Sequence, residues 1–318
     1  MSLRIVFMGT PDFSVPSLRA LVESKYDVVG VFTQPDRAKG RGGKLQQSPV
    51  KEYALSQGIP VFQPARIRVD GVENLRMLAP DVCVTAAFGQ ILSQEVLDIP
   101  SMGTVNVHAS LLPRHRGAAP VQWAILQGDA ETGITTMLTD KGIDTGDMLL
   151  KAACAITAED TAGALLERLS HMGAGLLLQT LAKLEAESCP CIKQNDAEAT
   201  YDPMLSKEMG LLNFEEGTQA CLRRVRAMDP WPCAYATLRE GVLKVWRAKN
   251  AGDLPMRKDA GVGNIVCADE KQGLVVTTAD GAIELLEIQA PNAKRMDARA
   301  FLRGHSMAAG QPLCEVTV

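Results

Sequence analysis

The run Thr104-Val105-Asn106-Val107-His108, in the first half of the chain, has the pattern of a buried strand. It is nearly continuous in apolar character. Three earlier runs share this texture and lie at residues 3–8, 28–33 and 82–88. Such runs are typical of parallel strands buried on both faces. Helix-like segments lie between them at residues 15–24, 49–57 and 72–78. The alternation predicts an α/β domain with a doubly wound, mostly parallel sheet.

The remaining chain predicts two further parts. Strand patterns at residues 134–138 and 148–156 form a candidate antiparallel edge pair, and a long helix follows over about 159–187, capped by Thr157 or Asp160. After a polar, proline-containing segment, five short strand patterns recur between turn signals. We therefore predict a catalytic domain over residues 1–187, a linker over 188–203, and a second domain over 204–318. The second domain is expected to be a small C-terminal β-barrel of oligonucleotide-binding type.

Composition restricts the class of protein. The chain has 318 residues, of which 46% are hydrophobic and 22% charged, as expected for a soluble globular protein. No apolar run has the length of a membrane span, and the N-terminus has no secretory leader pattern, so a cytoplasmic location is expected. Eight scattered cysteines and four histidines predict reduced thiols and no metal site.

Charge does not by itself indicate a nucleic-acid binder. The net charge is −4, but residues 204–318 carry 15 Lys and Arg against 14 Asp and Glu, whereas residues 1–203 carry 18 against 23. A polyanionic partner would therefore bind local basic patches. One candidate is the Gly-rich loop Ala38-Lys39-Gly40-Arg41-Gly42-Gly43-Lys44-Leu45, either an exposed turn or an arm that orders on phosphate. A second candidate is a helix face with Arg223 and Arg224, which Lys244 and Arg247 could extend.

The strongest chemical signal is the pair Asn106 and His108. Side chains at i and i+2 of a strand share one face, and open α/β sheets bind ligands at the carboxyl ends of their strands. An amide that holds a carbonyl oxygen and an imidazole that moves a proton suit acyl-type transfer. A carboxylate from the later loop could orient the imidazole, and the pattern leaves Asp140, Asp144 and Asp147 open. No nucleophilic Ser or Cys is evident, which favours direct transfer between two bound substrates.

Two other signals are weaker. The turn Gly9-Thr10-Pro11-Asp12-Phe13 follows the first strand but lacks the further glycines of the dinucleotide fingerprint, so NAD or FAD binding is disfavoured. The remaining histidines, His115, His171 and His305, have no partner comparable to Asn106 in the pattern.

The chain resembles the bacterial methionyl-tRNA formyltransferase family over essentially its full length. In the first half the resemblance rests on Gly9-Thr10-Pro11-Asp12-Phe13, Val31-Phe32-Thr33-Gln34-Pro35-Asp36-Arg37, Gly40-Arg41-Gly42, Asn106-Val107-His108-Ala109-Ser110-Leu111-Leu112-Pro113-Arg114, Arg116-Gly117-Ala118-Ala119-Pro120 and Asp144-Thr145-Gly146-Asp147. In the second half it rests on Asp229-Pro230-Trp231-Pro232 and Lys244-Val245-Trp246. Ala109 stands where many relatives carry Gly.

The resemblance implies a formyltransferase-type fold and transfer of a formyl group from 10-formyltetrahydrofolate to the methionyl amine of initiator tRNA. It selects Asp144 as the carboxylate that acts with Asn106 and His108. Residues that it implies for the folate site are Phe88, Gly89, Gln90, Ile91, Leu92, Ser110, Leu111, Leu112, Pro113 and Asp140. Residues assigned to tRNA binding are Lys39, Arg41, Lys44, Arg223, Arg224, Lys244 and Arg247. No membrane is involved, and a monomer is expected.

Three enzymatic alternatives reuse related chemistry: formylation of a nucleotide-linked amino sugar, formylation of glycinamide ribonucleotide, and hydrolysis of the formyl donor. The basic loop and the second domain favour tRNA over these acceptors. A catalytically silent RNA-binding module is a fourth alternative, which the intact set of Asn106, His108 and Asp144 argues against.

Overall fold

The computed structural model describes residues 2–39, 44–238, 241–252 and 261–314. The chain forms two compact units. The first comprises Met1–Pro120, Glu131–Ala155 and Leu166–Asp202, and the second comprises Val121–Ala130, Ile156–Leu165 and Pro203–Val318.

Strands and helices are numbered here in chain order. The strands are β1 (Arg4–Gly9), β2 (Asp27–Phe32), β3 (Arg37–Lys39), β4 (Lys44–Gln46), β5 (Val61–Phe62), β6 (Val82–Ala86), β7 (Thr104–His108), β8 (Arg116–Gly117), β9 (Glu131–Leu138), β10 (Met148–Ala155), β11 (Tyr201–Asp202), β12 (Ala234–Leu238), β13 (Gly241–Asn250), β14 (Ile265–Asp269), β15 (Gly273–Thr278), β16 (Gly281–Gln289) and β17 (Met296–Asp297). The α-helices are α1 (Val15–Val22), α2 (Pro49–Ser56), α3 (Val72–Leu78), α4 (Gln94–Leu97), α5 (Pro120–Gln127), α6 (Ala162–Glu185), α7 (Thr218–Ala227) and α8 (Ala298–Leu302).

The first unit is built on a seven-stranded sheet in the order β10-β9-β7-β6-β1-β2-β5. The neighbours β5, β2, β1, β6 and β7 pair in parallel, and β9 and β10 add an antiparallel edge. This confirms the predicted doubly wound, mostly parallel sheet with its antiparallel edge pair. Strand β6 is buried along its whole length, as the continuous apolar pattern predicts for a strand covered on both faces.

The first strand ends in a tight turn. A Cβ on Gly9 would lie 2.8 Å from the Cβ of Ser14 and 3.0 Å from the carbonyl oxygen of Ala86, so only glycine fits. The chain then enters a short 3₁₀ turn, Asp12–Ser14, and α1, where the Ser14 hydroxyl donates to the Ala86 carbonyl over 2.6 Å. This hydrogen bond therefore connects the turn after β1 to the end of β6.

Helix α6 begins later than the sequence predicted. The hydroxyl of Thr161 accepts from the Ala164 N–H over 3.3 Å, which is the capping contact at its first turn. Asp160 instead accepts from the Thr157 N–H over 2.7 Å and closes the preceding turn. The predicted capping roles of Thr157 and Asp160 were therefore wrong, because their bond to each other precedes the helix.

The second unit contains an antiparallel sheet in the order β12-β13-β16-β15-β14, with β17 paired to β16. Its buried face combines strand residues with helices α7 and α8, which contribute Val225 and Phe301 to the core. The short, turn-separated strands predicted for this part of the chain do form an antiparallel sheet. Within the described ranges, no helix combines the length and the apolar character that crossing a membrane requires.

Candidate active site

The site lies where β6 and β7 end. Asn106 is held on β7 through its side-chain oxygen, which accepts from the Thr85 hydroxyl of β6 over 2.9 Å. This contact fixes the amide orientation, so the Asn106 Nδ2 points away from β6. His108, the last residue of β7, is 6% exposed.

Asp144 reaches the same place from the loop between β9 and β10. Its Oδ1 lies 3.5 Å from the donating Nδ2 of Asn106 and 3.6 Å from the Nδ1 of His108. Its Oδ2 accepts from the Gly117 N–H over 2.9 Å. Two side-chain nitrogens of β7 therefore converge on one carboxylate oxygen, while a backbone amide fixes the other.

The other two candidate carboxylates have different tasks. Asp140 Oδ1 accepts from the Gly142 N–H and the Thr145 hydroxyl, over 3.0 and 2.7 Å, and thereby shapes the loop. Asp147 Oδ2 accepts from the Cys191 thiol over 3.2 Å. The structure thus brings Asp144, and neither Asp140 nor Asp147, to Asn106 and His108.

The hydrogen bonds of His108 fix its tautomer. Its Nε2 lies 2.9 Å from the carbonyl oxygen of His115. Because a carbonyl oxygen can only accept, Nε2 carries the proton. The Nδ1 edge then faces Asp144, and a second proton on the ring would lie between Nδ1 and that carboxylate. The ring can exchange a proton through Nδ1 without giving up the bond that orients it.

The sequence pattern gave His115 no role, but the structure provides it with partners distant in the chain. Its ring is buried, and its Nδ1 lies 2.8 Å from Asp202 Oδ2. Its backbone has φ of 59°, a left-handed conformation that costs an L-residue about 1–2 kcal/mol. The Thr200 hydroxyl accepts its N–H over 2.7 Å. The partners lie 85 and 87 positions along the chain, so local spacing gave no signal.

The neighbouring Arg116 is fully buried and hydrogen-bonds to a segment about 80 residues later in the chain. Its guanidinium donates to Gln194, Tyr201 and Asp196 over 3.0, 2.7 and 2.8 Å. Burial opposes the charge, but the bonds to Asp196 and Tyr201 outweigh it and raise the pKa of Arg116.

Gln194 connects this segment to the loop that carries Asp144. Its Nε2 donates to the carbonyl oxygens of Asp144 and Gly146, over 2.8 and 2.7 Å. Residues that the sequence assigned to a linker therefore buttress the loop that carries Asp144.

The predicted folate residues occupy three loops: residues 88–92 follow β6, residues 110–113 follow β7, and Asp140 lies between β9 and β10. Those that are buried are Phe88, Leu92, Ser110, Leu112 and Pro113. Those that are at least partly exposed are Gly89, Gln90, Ile91, Leu111 and Asp140.

Several of these side chains are committed to shaping the loops. Gln90 accepts from the Ile67 N–H over 2.6 Å and donates to the Pro64 carbonyl over 3.0 Å. The Ser110 hydroxyl donates to the Arg114 carbonyl over 2.7 Å. The Leu112 carbonyl accepts from Lys151, just before a cis bond to Pro113. Exposed apolar surface comes from Ile91, at 71%, and from Ile143 of the Asp144 loop, at 64%.

The basic loop is only partly described. Arg41 lies outside the described residues. Lys39 ends β3 and Lys44 begins β4, and these strands pair as an antiparallel hairpin.

The cations of the second unit differ in how they are held. Arg224 donates to the carbonyls of Met209 and Leu211 over 3.2 and 3.1 Å, and pairs with Glu216. The Nε of Arg223 is buried. The Lys244 ammonium lies 5.9 Å from the centroid of the Trp246 ring, and Arg247 is exposed on the same strand.

Comparison with known proteins supports one family. Residues 3–181 match the formyl transferase family, and residues 204–306 match the formyl transferase C-terminal domain. A methionyl-tRNA formyltransferase of Ruminiclostridium cellulolyticum is 44% identical over 312 residues, which cover 98% of this chain and 99% of that protein. One of Citrifermentans bemidjiense is 45% identical over 309 residues, which cover 97% of this chain and 95% of the relative.

Solved structures share the fold at lower identity. An N-formyltransferase of Helicobacter canadensis, in complex with folinic acid and dTDP-3-aminofucose, has a TM-score of 0.66 at 18% identity, covering 93% of this chain and 100% of that one. HypX of Aquifex aeolicus, in complex with tetrahydrofolic acid, has a TM-score of 0.63 at 18% identity over 95% of this chain. The chain spans about half, 47%, of the length of HypX. The near full-length identity to the curated relatives is decisive: the chain belongs to the methionyl-tRNA formyltransferase family.

Proposed function

We propose that this protein transfers the formyl group of 10-formyltetrahydrofolate to the α-amino group of methionine esterified to initiator tRNA, and thereby supports translation initiation. The observation that carries the proposal is the convergence of Asn106 Nδ2 and His108 Nδ1 on Asp144 Oδ1, in a chain that aligns from end to end with named methionyl-tRNA formyltransferases.

The reaction is a direct exchange of one carbon–nitrogen bond for another. The neutral methionyl amine attacks the formyl carbon, and the carbonyl oxygen becomes an oxyanion. Asn106 Nδ2 donates to that oxygen, and the positive charge of the protonated His108 ring, whose Nδ1–H faces Asp144, stabilises the oxyanion electrostatically. The intermediate then expels the folate nitrogen, and the proton lost by the amine ends on that nitrogen. The products are the formylmethionyl ester and tetrahydrofolate.

Proton movement uses the Nδ1 edge of His108, because Nε2 is held by the His115 carbonyl. Asp144 stabilises the protonated ring, and the Gly117 amide keeps its carboxylate in place. His108 or an ordered water passes the proton to the leaving nitrogen. The contacts of 3.5 and 3.6 Å leave room for the carboxylate and the two nitrogens to draw closer during the reaction.

For the donor, we propose a binding site formed by residues 88–92, residues 110–113 and Asp140. Their committed side chains leave mainly backbone groups for recognition, and the exposed Ile91 and Ile143 supply apolar surface against which a fused ring can pack.

For the tRNA, we propose contacts by Lys39, Arg41 and Lys44 with the acceptor end, and contacts by Arg223, Arg224, Lys244 and Arg247 with the phosphate backbone. The proposed domains are a catalytic domain over 1–187, a linker over 188–203 and a tRNA-binding β-barrel over 204–318. We also propose that the protein acts in the cytoplasm as a monomer, which light scattering of the purified protein would test.

An acceptor competition tests the function. The purified protein is incubated with labelled 10-formyltetrahydrofolate and, separately, with initiator methionyl-tRNA, elongator methionyl-tRNA, a nucleotide-linked amino sugar and glycinamide ribonucleotide. The expected result is label on initiator methionyl-tRNA far above the others. Transfer to the amino sugar but not to methionyl-tRNA, or release of formate alone, would overturn the proposal.

A further inference from the structure

The buried pair of His115 and Asp202 stands behind the catalytic histidine without belonging to the proposed reacting groups. The two side chains are 4% and 2% exposed and lie 2.8 Å apart between Nδ1 and Oδ2. A carboxylate buried at that distance from an imidazole is an oriented, charge-assisted contact. Such a contact can hold His115 in one position.

The backbone conformation of His115 has to be stabilised by its surroundings. Its φ of 59° lies in the left-handed region, which a non-glycine residue adopts only where its surroundings impose it. Three contacts do so. The N–H donates to Thr200, the ring contacts Asp202, and the carbonyl accepts from His108. The first two anchor the residue to the segment around β11, and the third carries its position to the catalytic ring.

Asp202 also supports the adjoining residues through its backbone. Strand β11 pairs with β8, and the Asp202 carbonyl accepts from the Ala118 N–H over 3.3 Å. The chain passes so close to the Asp202 carbonyl at residue 117 that only glycine fits, because a Cβ on Gly117 would lie 2.4 Å from that oxygen. The Gly117 amide in turn donates to Asp144. One short segment, residues 115–117, therefore positions both His108 and Asp144, and Asp202 holds it at both ends.

We propose that His115 and Asp202 form a positioning dyad for the catalytic site. The dyad fixes the His115 carbonyl, which keeps the His108 proton on Nε2 and leaves Nδ1 for Asp144 and the reacting atoms. The kinetic part of this inference rests on the proposed formyl transfer. The tautomer of His108 is a readout that does not depend on it.

Loss of the Asp202 carboxylate has a defined consequence. The His115 ring loses its anchor, the left-handed backbone relaxes, and the carbonyl moves away from Nε2. His108 then samples the Nδ1-protonated tautomer and a wider range of ring positions. Displacement of a reacting group by about 1 Å costs about 10²-fold in rate. Because neither residue belongs to the proposed substrate contacts, the effect falls on kcat and spares KM.

The test compares Asp202→Ala with Asp202→Asn in the full-length protein. An asparagine oxygen can still accept from the His115 ring, so this conservative variant should recover most of the rate. Thr180→Val is the matched control, since Thr180 is fully buried and its hydroxyl bonds to Thr136 over 2.8 Å, outside this network. If Asp202→Ala does not fold, Asp202→Ser replaces it, because serine also lacks the carboxylate and its side chain is shorter than that of aspartate.

Each variant is measured by steady-state kinetics, by thermal unfolding, and by ¹⁵N NMR of the histidine ring nitrogens. Asp202→Ala should lower kcat about 10²-fold, change each KM by less than about threefold, and reduce the Nε2-protonated signal of His108. Thr180→Val should keep both kcat and that signal.

Two results would overturn the dyad: an unchanged His108 signal with near wild-type kcat in Asp202→Ala, or an equal loss of kcat in Thr180→Val at equal destabilisation. If the wild-type protein formylates no methionyl-tRNA, the proposed function fails, and the NMR comparison alone decides the dyad.

Discussion

The proposed active site of the first unit and the cations of the second unit were both predicted from charged or polar residues, yet they are organised differently. In the first unit, Asn106, His108 and Asp144 meet within 3.6 Å, and backbone groups hold two of them. In the second unit, Arg224 is bound to carbonyls of its own unit, whereas Arg247 is exposed. The position of a residue at a strand end is therefore a better guide to which side chains meet in the fold than clustering of charge along the sequence.

The largest expected effect is that of His108→Ala, which removes the group that moves the proton. We expect kcat to fall about 10³–10⁴-fold, near the upper range of acid–base catalysis, with little change in thermal unfolding. Single-turnover formylation at saturating donor would measure it. Near-normal turnover would remove His108 from the mechanism and break the contrast between the two regions.

Asn106→Ala should have the next largest effect, because it removes one donor to the oxyanion. The expected loss is about 10²–10³-fold in kcat, with binding of both substrates retained. Thr85→Val is a useful companion, since it removes the hydroxyl that orients the Asn106 amide and leaves the amide itself. Thr85→Val should therefore cause a smaller loss of kcat than Asn106→Ala, and a near wild-type kcat in Asn106→Ala would remove the amide from the mechanism.

Arg116→Met should chiefly cost stability. It deletes a fully buried guanidinium and three hydrogen bonds, so the free energy of unfolding should fall by about 2–4 kcal/mol. The carboxylate left behind, Asp196, is 85% exposed, so the larger cost of a stranded buried charge does not apply. Urea unfolding would measure the change beside Arg68→Met, an exposed control. If Arg116→Met and Arg68→Met had equal free energies of unfolding, Arg116 would not be supporting the loop that carries Asp144.

The smallest effects should separate two cations of the second unit. Arg224→Ala should lower the free energy of unfolding by about 1–2 kcal/mol, since its guanidinium bonds to backbone carbonyls. Arg247→Ala should leave stability within about 0.5 kcal/mol but reduce the salt dependence of tRNA binding by about one counterion. Urea unfolding and salt titrations of tRNA binding would measure the two quantities: Arg224→Ala, which also removes a proposed phosphate contact, should change both, whereas Arg247→Ala should change only the salt slope. If Arg224→Ala changes the salt slope at unchanged stability, its contacts with the carbonyls are replaced by phosphate when tRNA binds.

Much of the fold could be predicted because the responsible signals are local. The Val-rich run that includes Cys83 and the run that ends in His108 indicated strands buried on both faces, and these strands are neighbours in the parallel sheet. The two-residue spacing of Asn106 and His108 likewise indicated a shared face, and both contact Asp144 Oδ1.

The rest depends on long-range contacts. Spacing left Asp140, Asp144 and Asp147 equal, and the choice follows from which of them accepts the Gly117 amide. The partners of His115 and Arg116 lie about 80 or more positions later in a segment that looks like a polar linker. Polar composition indicates exposure, but it does not reveal that Gln194 and Asp202 turn inward.

In the proposed mechanism, the formyl group passes directly from donor to amine while Asn106, His108 and Asp144 stabilise the transition state. A rapid-quench single turnover with labelled formyl donor tests this most directly, by following label on donor, protein and methionyl-tRNA together. In direct transfer, label leaves the donor and appears on initiator methionyl-tRNA at one rate, with none on the protein. A formylated protein that forms with donor alone and then passes its label to methionyl-tRNA would contradict it.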